Sequence, residues 1–599
     1  DYGEWKPLKY TGTYGTNGFY LNGVGVTDQS GNGNNWTNNN LNLSTSTATT
    51  YDQMKDTPSL VDENAGNFAT WNPIDIPNPS ANSYSRIFSE ANLTVAKNGS
   101  EGVVNMTTVA SFEIPTSGKW YWEIAATTVA SAAASRTQIG IMNQAAKFAD
   151  GADHIYADVA GTYAYAGNGQ KVASPGTFAA YGASYTSGVV IGVAVDADNG
   201  TIAFYKNGAA QGTAYSGLDM STGFSPSVGY WGTFTANFGQ RPFAYTPPSG
   251  FLKLNTFNLP DSTIEKGSDY FTPVLYTGTG SSRSISVGFQ PDWTWWKSRN
   301  IGGNPALFDS VRGVGKYLLS NVANAEATVG TSLTSFDSDG YTIGSNTAWN
   351  STGNTFVSWN WRAGSTTATN TAGSEDSVIS ANTTAGFSIV SYTGTGANMT
   401  IGHGLGAVPD LMIFKIRNSA DNWAVWHKSF AVNQYVYLNN TTAKATHAPF
   451  MNSTLPTSTL ISLGSWATVN YTASHNYIAY CFAEKEGYSS FGSYTGNGST
   501  DGPFIYTGFR PAFVMFKRTD SSYGADWILL DTARDTYNSM LKRLNPNGSN
   551  AENATAANLV DYTSNGFKIR STLAGMNTNG GTFIYMAFAE NPFKNSNAR

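Results

Sequence analysis

The chain contains a single cysteine, Cys481, among its 599 residues. One cysteine excludes an intrachain disulfide framework and a zinc site built from cysteine thiolates. Cys481 stands within the apolar stretch 477–482, so a small buried hydrophobic side chain is its expected role. Histidine is also rare, and no two of the five have the spacing of a metal-binding pair: His154, His403, His427, His447 and His475. We therefore predict no metal ligands and no cofactor.

Charge is scarce as well. Charged residues make up 12% of the chain and the net charge is −6, without any basic cluster. Nucleic-acid binding proteins carry a basic patch, so the sequence predicts no nucleic-acid partner. No run of residues approaches the ~18 consecutive apolar residues that a membrane-spanning helix requires, so we expect no membrane insertion.

What the chain does have is glycine, aromatic residues and stretches rich in Asn, Thr and Ser. It contains 63 glycines, and aromatic residues make up 14% of the sequence. Aromatic and β-branched side chains fit a pleated sheet, whereas Gly and Asn supply the positive-φ positions of tight turns. The composition therefore predicts an all-β, multidomain protein in which helix is scarce.

One pattern occurs three times in the C-terminal half. A Tyr-Thr-Gly turn stands at 276–278, 392–394 and 494–496. Each turn is followed by an apolar strand that begins with Pro and ends with Lys, at 291–297, 409–415 and 511–517. An aromatic strand closes each copy, at 356–361, 477–482 and 583–588. The spacing of about one hundred residues exceeds the ~20–50 residues of a solenoid repeat and suits an autonomous small domain.

We therefore predict three tandem β-sandwich-like modules, at 269–364, 386–486 and 487–599. Residues 365–380 have the Ser, Thr, Ala and Asn composition of a linker between the first two modules. The strands that begin with these prolines are apolar on both faces, so each face must be covered by other residues. One cover is the module's second sheet. The other is either a neighbouring chain, as in a threefold fibre, or simple burial inside a sandwich.

The N-terminal part divides in two. Residues 1–80 form a Gly- and Asn-rich connector segment, in which Trp36, Tyr51, Phe68 and Trp71 are candidate anchors. Residues 81–250 contain strand patterns. In the stretch 119–124 apolar and other side chains alternate, which predicts a strand buried on one face. The stretch 189–195 is continuously apolar, and 201–206 lies between Asn-Gly turns that predict hairpins.

The stretches 118–123, 139–141, 193–196, 199–208 and 224–229 together resemble the SPRY domain, a concanavalin A-like β-sandwich. The resemblance covers about residues 81–245. In that family the domain is generally a binding module whose loops at one end contact peptides or other partners. The resemblance therefore implies recognition rather than catalysis.

The wider arrangement resembles bacteriophage tail-fibre or receptor-binding proteins. This resemblance rests on the stretches 4–21, 237–245, 307–313, 336–341 and 588–593. It implies a virion protein in the tail or a surface appendage that attaches the phage to its host by multivalent, non-catalytic binding. The implied partners are a host cell-surface receptor, either glycan or protein, other virion proteins, and copies of itself, with a homotrimer favoured. The alternatives are a structural virion component, a polysaccharide-depolymerising tail enzyme and a bacterial surface adhesin.

The repeated lysines, Lys297, Lys415 and Lys517, stand among apolar neighbours, where an unpaired ammonium is costly. In the first and third copies an Asp follows in the next apolar run, with an Arg three places later. These pairs are Asp309 with Arg312 and Asp531 with Arg534; the second copy has His427 and Phe430 instead. We favour a structural cross-strand ion pair of the Lys over a functional site.

No catalytic set is evident. A glycosidase needs two carboxylates flanking the sugar bond, and Glu123 on the aromatic strand has no acidic residue two places away. No nucleophile elbow and no phosphate-binding glycine loop is present either. The acidic stretches 196–200 and 337–340 could supply oxygen ligands to calcium, but Asp and Asn before Gly are equally typical of tight turns, which we favour.

Aromatic residues in Gly- and Asn-rich loops are the candidate binding surface, because an aromatic face stacks on a sugar ring while amides bond its hydroxyls. The candidates are Tyr163, Tyr165, Asn168, Gln170, Tyr230 and Trp231. The alternative is that these aromatic side chains pack beneath their own loops.

Overall fold

The computed structural model describes residues 10–21, 26–39, 41, 66–75, 86–97, 107–129, 137–143, 161–173, 176–230, 232–472, 474–554 and 559–595. The protein is 44% strand and 3% helix, which confirms the all-β prediction. It divides into two compact units, residues 3–261 and residues 262–599. Within the described residues, no helix has the length and apolar character needed to cross a bilayer.

The first unit is a two-sheet sandwich. Its strands are β1 Arg86–Ser89, β2 Thr94–Lys97, β3 Thr107–Val109, β4 Lys119–Val129, β5 Thr137–Asn143, β6 Thr162–Ala166, β7 Gln170–Ala173, β8 Thr177–Ala180, β9 Val189–Asp196, β10 Thr201–Lys206, β11 Ala209–Tyr215, β12 Phe224–Tyr230, β13 Gly232–Asn237 and β14 Leu252–Lys253. A 3-10 helix spans Met220–Thr222. One sheet has the order β1-β2-β13-β4-β9-β10-β11, with β14 beside β4, and the other has the order β3-β12-β5-β6-β7-β8. The predicted hairpin of residues 201–206 is confirmed by the β9-β10-β11 meander.

Strand β4 differs from its prediction. Trp120 and Trp122 face the core, but Tyr121 and Glu123 on the opposite face are buried too. The sheet's outer face is covered here because Phe243 packs edge-on against Tyr121, with ring centroids 5.0 Å apart. The alternation of apolar and polar residues therefore does not mean solvent exposure in this strand.

The segment 66–75, which the sequence assigned to the connector, contributes to the same sandwich. Phe68 forms a bridge with Asn255 and Trp71 forms one with Ala110. Both aromatic side chains are buried, and Trp71 contacts Phe238 with ring centroids 5.7 Å apart. These two anchors are confirmed. Trp36 is 53% exposed, and Tyr51 lies outside the described residues.

The second unit begins with a 3-10 helix, Gly267–Asp269. The strands of its first part are β15 Phe271–Thr277, β16 Arg283–Ser286, β17 Trp293–Ser298, β18 Ala306–Asp309, β19 Lys316–Leu319, β20 Ala327–Thr328, β21 Leu333–Asp337, β22 Gly340–Ile343 and β23 Thr355–Trp361, with helix α1 at Thr347–Asn350. Those of the middle part are β24 Ala368–Asn370, β25 Ser377–Asn382, β26 Phe387–Thr393, β27 Met399–Gly402, β28 Leu411–Ile416, β29 Ala424–His427, β30 Gln434–Tyr437, β31 Ala445–Thr446, β32 Leu460–Leu463 and β33 Asn476–Phe482.

The last part follows the same plan. Its strands are β34 Ser489–Thr495, β35 Phe504–Tyr506, β36 Phe509–Arg518, β37 Ile528–Asp531, β38 Lys542–Arg543, β39 Asn553–Ala554, β40 Val560–Thr563, β41 Gly566–Ile569 and β42 Thr582–Pro592. Helix α2 is Ala574–Asn577, and a 3-10 helix follows at Phe593–Asn595.

One strand order occurs in all three large sheets of this unit. The first contains β15-β23-β17-β18, the second β26-β33-β28-β29 and the third β34-β42-β36-β37. In each, the strand that ends in the Tyr-Thr-Gly motif and the strand after the proline both pair with the closing aromatic strand. Small companion sheets, β16-β22-β21, β27-β32 and β35-β41-β40, accompany them.

The three large sheets share one hydrophobic core, which runs from Ile264 to Phe588. Rings from different repeats are in contact: Phe271 and Phe588 have centroids 5.1 Å apart, and Phe482 and Phe588 are 5.8 Å apart. The second cover of the apolar strands is therefore another part of the same chain. The neighbouring chain that we considered for this role is not needed, and the first and third repeats each have a small core of their own beside the shared one. The module boundaries themselves stay predictions.

The stretch 365–380 is not a plain linker. Strands β24 and β25 lie in it and extend the second large sheet through pairing with β26. Ser377 and Ser380 are buried, and their hydroxyls bond the Gly402 carbonyl at 2.7 Å and the Gly364 N–H at 3.0 Å. Low apolar content was misleading here because backbone pairing and hydroxyl groups hold the segment.

The Tyr of each Tyr-Thr-Gly turn holds the short segment that precedes the closing strand. Tyr276, Tyr392 and Tyr494 donate their hydroxyls to the carbonyls of Trp349, Val469 and Met576 at 2.9, 2.7 and 2.8 Å. The next residue in each repeat, Asn350, Asn470 or Asn577, accepts a backbone N–H bond from the residue after the turn's Gly. The motif is thus a side-chain clamp between two loops.

We expect Tyr392→Phe to lower the free energy of unfolding by ~1–3 kcal/mol, because it leaves the buried Val469 carbonyl without this hydroxyl donor. Tyr523→Phe is the matched control, since Tyr523 is 80% exposed. Urea unfolding of the full chain measures both. Equal stability of the two variants would contradict the clamp.

Candidate binding surface

Three loops meet at one end of the first unit: the β6–β7 turn (166–170), the β8–β9 connection (181–188) and the β10–β11 turn (206–209). The middle loop is bonded to the other two. Tyr181 and Gly182 donate their N–H groups to the Gly169 carbonyl at 3.1 and 2.9 Å. Lys206 donates its ammonium to the Ser184 carbonyl at 2.7 Å. The three loops therefore form one hydrogen-bonded surface, which we call the loop surface.

An aromatic cluster supports the loop surface from below. The ring of Tyr165 lies 5.2 Å from those of Tyr181 and Tyr185 and 5.5 Å from that of Phe204. Tyr185 also donates its hydroxyl to the carbonyls of Thr137 and Tyr165, both at 3.0 Å. Loops anchored by buried rings keep their shape, which lowers the entropy lost on binding a partner.

The structure corrects the role predicted for Tyr165. Its side chain is fully buried, and its hydroxyl bonds the Ala183 carbonyl. Burial raises the pKa of this hydroxyl to about 12. The ring cannot stack on a ligand because it already forms the core beneath the loop. The alternative interpretation of this residue was the right one.

The other candidates are divided. Asn168 is exposed at the tip of the β6–β7 turn, where its amide donates to Gln170 Oε1 at 2.5 Å. Tyr163 stands near the opposite end of β6, half-buried, with its ring 5.1 Å from that of Tyr215. The Tyr230 side chain and Trp231 lie outside the described residues. For these five residues the binding role stays a prediction.

The loop surface is almost uncharged. We include the start of β11 in the loop surface, which then comprises the stretches 166–170, 181–188 and 206–212. These stretches contain one charged residue, Lys206, whose ammonium is bonded to a carbonyl. Thr186 and Ala210 are exposed on it, and Gln211 uses its Oε1 to accept the Ala183 N–H at 2.9 Å. Such a surface can offer hydroxyl, amide and main-chain groups to a partner, but little electrostatic attraction.

Glu123, the carboxylate on the aromatic strand, is a structural group. It accepts the N–H groups of Ala244 and Tyr245 at 2.7 and 2.9 Å and the Tyr121 hydroxyl at 3.2 Å. Burial raises the pKa of this carboxyl, and the three hydrogen bonds oppose the shift. Glu123 thus fastens the segment that covers the outer face of β4.

Replacing Glu123 with Gln places an amide N–H against backbone donors and removes one acceptor. We expect a loss of ~1–3 kcal/mol of stability and faster hydrogen exchange at the amides of Ala244 and Tyr245. Asp198→Asn is the control, because Asp198 is exposed and accepts a backbone bond from Gly118 at 2.8 Å. Unchanged exchange at both amides would show that the carboxylate does not hold the segment.

The repeated lysines of the second unit do not form the ion pairs that we favoured. Lys297, Lys415 and Lys517 are buried, and the bonds of their ammonium groups go to main-chain carbonyls. Lys297, for example, donates to the carbonyls of Gly303 and Ser549 at 2.6 and 3.0 Å. Burial lowers the pKa of all three ammonium groups to about 8. Carbonyl oxygens, not carboxylates, satisfy these donors.

The predicted Asp residues pair with the Arg three places later. Arg312 contacts Asp309 at 2.5 Å and Arg534 contacts Asp531 at 2.6 Å, with all four side chains fully buried. Burial by itself lowers the pKa of each guanidinium, but the neighbouring carboxylate outweighs it and the net shift is upward. In the second repeat His427 replaces the Asp. Its Nδ1 accepts the Ser429 N–H at 3.1 Å.

Burial, with a smaller contribution from Lys428, lowers the pKa of His427 from 6.5 to about 3. The folded protein therefore keeps a neutral imidazole, whereas the unfolded chain takes up a proton below about pH 6.5. The stability due to His427 is complete above about pH 6.5 and is lost as the pH falls toward about 3. We expect wild type to lose about 2 kcal/mol more than His427→Asn between about pH 7 and 5. Urea unfolding at both pH values tests this, and parallel losses would contradict it.

Among the described residues, no group of three or more His, Cys, Asp and Glu side chains could hold a metal ion. In the stretch 196–200, Asp196 bonds Asn199 and Lys119, as expected for a closed turn. In the stretch 337–340, Asp337 and Asp339 accept hydroxyl bonds from Thr342 at 2.8 Å and Ser286 at 2.5 Å. Both loops are held by their own side chains, and calcium binding stays a prediction.

Comparison with known proteins agrees with the sandwich. The SPRY domain matches residues 119–241, which makes the chain a protein with a SPRY β-sandwich followed by a further β-rich region. The family described as Domain of unknown function (DUF7483) matches residues 266–592. Because this match covers more than half of the chain, the protein belongs to that family.

Curated relatives match the SPRY part. The E3 ubiquitin-protein ligase RKP of Arabidopsis thaliana is 32% identical over 149 residues, 23% of this chain and 10% of that protein. Human Ran-binding protein 9 is 38% identical over 88 residues, 14% of this chain and 12% of that protein. The chain thus spans about a tenth of the length of these relatives.

Solved SPRY domains also match part of the chain. A human SPRY domain is 19% identical and covers 26% of this chain and 97% of its own, with a TM-score of 0.21. The SPRY domain of human HERC1 is 16% identical and covers 28% and 96%, with the same TM-score.

These findings overturn one prediction. The curated relatives are plant and animal SPRY proteins, not phage tail fibres, so the assignment as a phage attachment protein is wrong. The SPRY resemblance itself is confirmed.

Proposed function

We propose that this chain is a protein-binding component whose SPRY sandwich recognises an uncharged, polar segment of a protein partner through the loop surface. The observation that carries the proposal is the loop surface itself: three loops, bonded to one another, over a buried aromatic cluster. A rigid surface of hydroxyl, amide and main-chain groups suits hydrogen bonding to a peptide backbone. The single charge on it, that of Lys206, is already bonded to Ser184.

The chemistry of the sandwich also supports binding rather than catalysis. Glu123 has its carboxylate oxygens bonded to two backbone N–H groups and a tyrosine hydroxyl. A general acid or base needs a free oxygen within reach of a substrate. Glu123 therefore serves the fold. The predicted homotrimer stays a prediction.

The proposal is tested by selecting binders from a displayed library of random peptides against the full chain. Thr186→Glu and Ala210→Glu place a charge on the loop surface at exposed positions. We expect the selected peptides to bind these variants at least ~10-fold more weakly, a change of about 1.4 kcal/mol. Titration with each purified peptide measures the affinities.

Ser216→Glu is the matched control, because Ser216 is exposed in the loop after β11, at the opposite end of that strand. Binding by this variant should equal that of wild type. Recovery of no peptide, or peptides that bind the loop variants as tightly as wild type, would refute the proposal.

A further inference from the structure

Three interfaces, which we call seams, join the three repeats of the second unit. Each is marked by the same main-chain bond. Glu326 of the first repeat donates its N–H to the carbonyl of Arg417 of the second at 2.6 Å, and Lys444 of the second donates to that of Thr519 of the third at 2.8 Å. Glu552 of the third repeat donates to the carbonyl of Arg299 of the first at 2.7 Å. Each repeat thus lays a loop on the next, and the last closes on the first.

Two of the seams are ionic. In the seam between the first and second repeats, Glu326 contacts Arg417 at 3.0 Å and Arg312 at 3.4 Å. Tyr480 of the second repeat donates its hydroxyl to the buried Asp309 at 2.7 Å. A negatively charged loop therefore meets an arginine and a neutral donor.

The seam between the third and first repeats has the same arrangement. Glu552 contacts Arg299 at 2.9 Å and Arg534 at 3.2 Å. The indole N–H of Trp359, in the first repeat, bonds Asp531 at 2.9 Å. Glu552 is held ionised. Burial raises the pKa of its carboxyl, but Arg299 and Arg534 lower it by a larger amount, so the net shift is downward.

The seam between the second and third repeats differs at every one of these positions. Lys444 replaces the Glu, and its ammonium lies 5.5 Å from the centre of the Phe430 ring. Thr519 stands where the other seams have the Arg whose carbonyl accepts the loop's N–H. Met586 occupies the position in its closing strand that Trp359 and Tyr480 occupy in theirs. This seam is joined without an ion pair between Lys444 and its receiving residue.

The loops are not interchangeable between seams. In the reversed order the loop of the second repeat would meet the first repeat, where Lys444 would face Arg299, and like charges in contact are repulsive. If an acidic loop met the third repeat, its Glu would find Thr519 and its buried Asp would face Met586 instead of a donor. Three look-alike repeats can close around a core in two orders. The reversed order would create both mismatches.

We propose that the charges at the seams fix the order in which the three repeats close, with the Lys444–Thr519 pair as the element that excludes the reversed order. The native order pairs Glu326 and Glu552 with arginines and gives Asp309 and Asp531 a neutral donor. The reversed order would place Lys444 against Arg299 and would leave Glu326 and Asp309 facing Thr519 and Met586. The rival explanation is that chain connections alone set the order, since a short join near Gly487 links the second and third repeats.

The test gives all three seams the same charges. Lys444→Glu with Thr519→Arg forms a third acidic-to-basic pair and leaves the connections unchanged. Closure is read with Gly302→Cys and Ser549→Cys, across the native seam between the third and first repeats. A Cβ at residue 302 lies 3.5 Å from the Ser549 carbonyl oxygen. Cys481 is buried in the folded protein, and Cys481→Ala in every variant removes this thiol from the crosslinking reaction.

Full-length protein is unfolded, refolded and treated with a short thiol crosslinker. We expect the cysteine pair alone to crosslink as fully as protein that was never unfolded. With Lys444→Glu and Thr519→Arg added, we expect a loss of intramolecular crosslinking and a rise in misclosed or oligomeric protein after refolding. Crosslinking equal to that of the cysteine pair alone would overturn the proposal in favour of the connections.

A second variant keeps the test informative if the first does not fold. Glu552→Lys opposes Arg299 in the native order, so crosslinking should fall. Adding Arg299→Thr, Arg534→Phe and Asp531→His copies the Thr519, Phe430 and His427 surroundings of Lys444 and should restore it. Failure of these added changes to restore crosslinking would contradict the proposal, because a general loss of stability is not reversed by removing another contact.

Discussion

The structure of the second unit depends on one constraint: the central strand of each large sheet is apolar on both faces, so both faces must be covered. Trp296 on one side of β17 packs with Tyr341 in the first repeat's own small core, whereas Trp293 on the other side belongs to the core that all three repeats share. In the third repeat, Phe516 and Phe513 divide in the same way. Burying such side chains stabilises the fold by ~1.5–3 kcal/mol each, so a single sheet cannot leave either face in water.

The sequence predicts that both faces of these strands are buried, because apolar residues stand on both. It does not say which part of the structure packs against each face. A neighbouring chain and a neighbouring repeat present the same apolar surface. The strands of the repeats could therefore be predicted from their pattern, and the sandwich from its strand patterns together with the SPRY resemblance, whereas the shared core could not. The linker prediction for residues 365–380 failed for a related reason. The strands there are held by backbone pairing and by the hydroxyls of Ser377 and Ser380, and amino-acid composition does not reveal either contribution.

The repeated Lys, Asp and Arg positions were identified correctly from the sequence, but the predicted ion pairs of the lysines were wrong. Register explains this, because β17 pairs with β18 so that Trp293, not Lys297, stands opposite Asp309. The carboxylate then meets the arginine of its own turn, three residues on. Glu326 and Glu552 were missed altogether. A signal existed in the spacing. Glu326 follows Arg312 by 14 residues, Lys444 follows Phe430 by 14 and Glu552 follows Arg534 by 18, but the unequal loop lengths hide the alignment. Tyr165 was misassigned because it belongs to strand β6 and not to the Gly-rich loop that follows, and the sequence does not show that its ring turns inward beneath the loop surface.

The two units use polar groups in opposite ways, and this bears on where recognition occurs. In the second unit, the repeated buried charges serve the fold: Asp309 and Asp531 bind their arginines, the repeated lysines bind carbonyls, and Glu326 and Glu552 each bridge two arginines. A screen for function based on buried charge would select these groups, yet their bonding capacity is already used. In the sandwich, the exposed loops keep hydroxyl and main-chain groups at the surface of a rigid frame. Recognition needs polar groups that are positioned at the surface, and the exposed Asn168, Ser184 and Thr186 of the loop surface meet that condition.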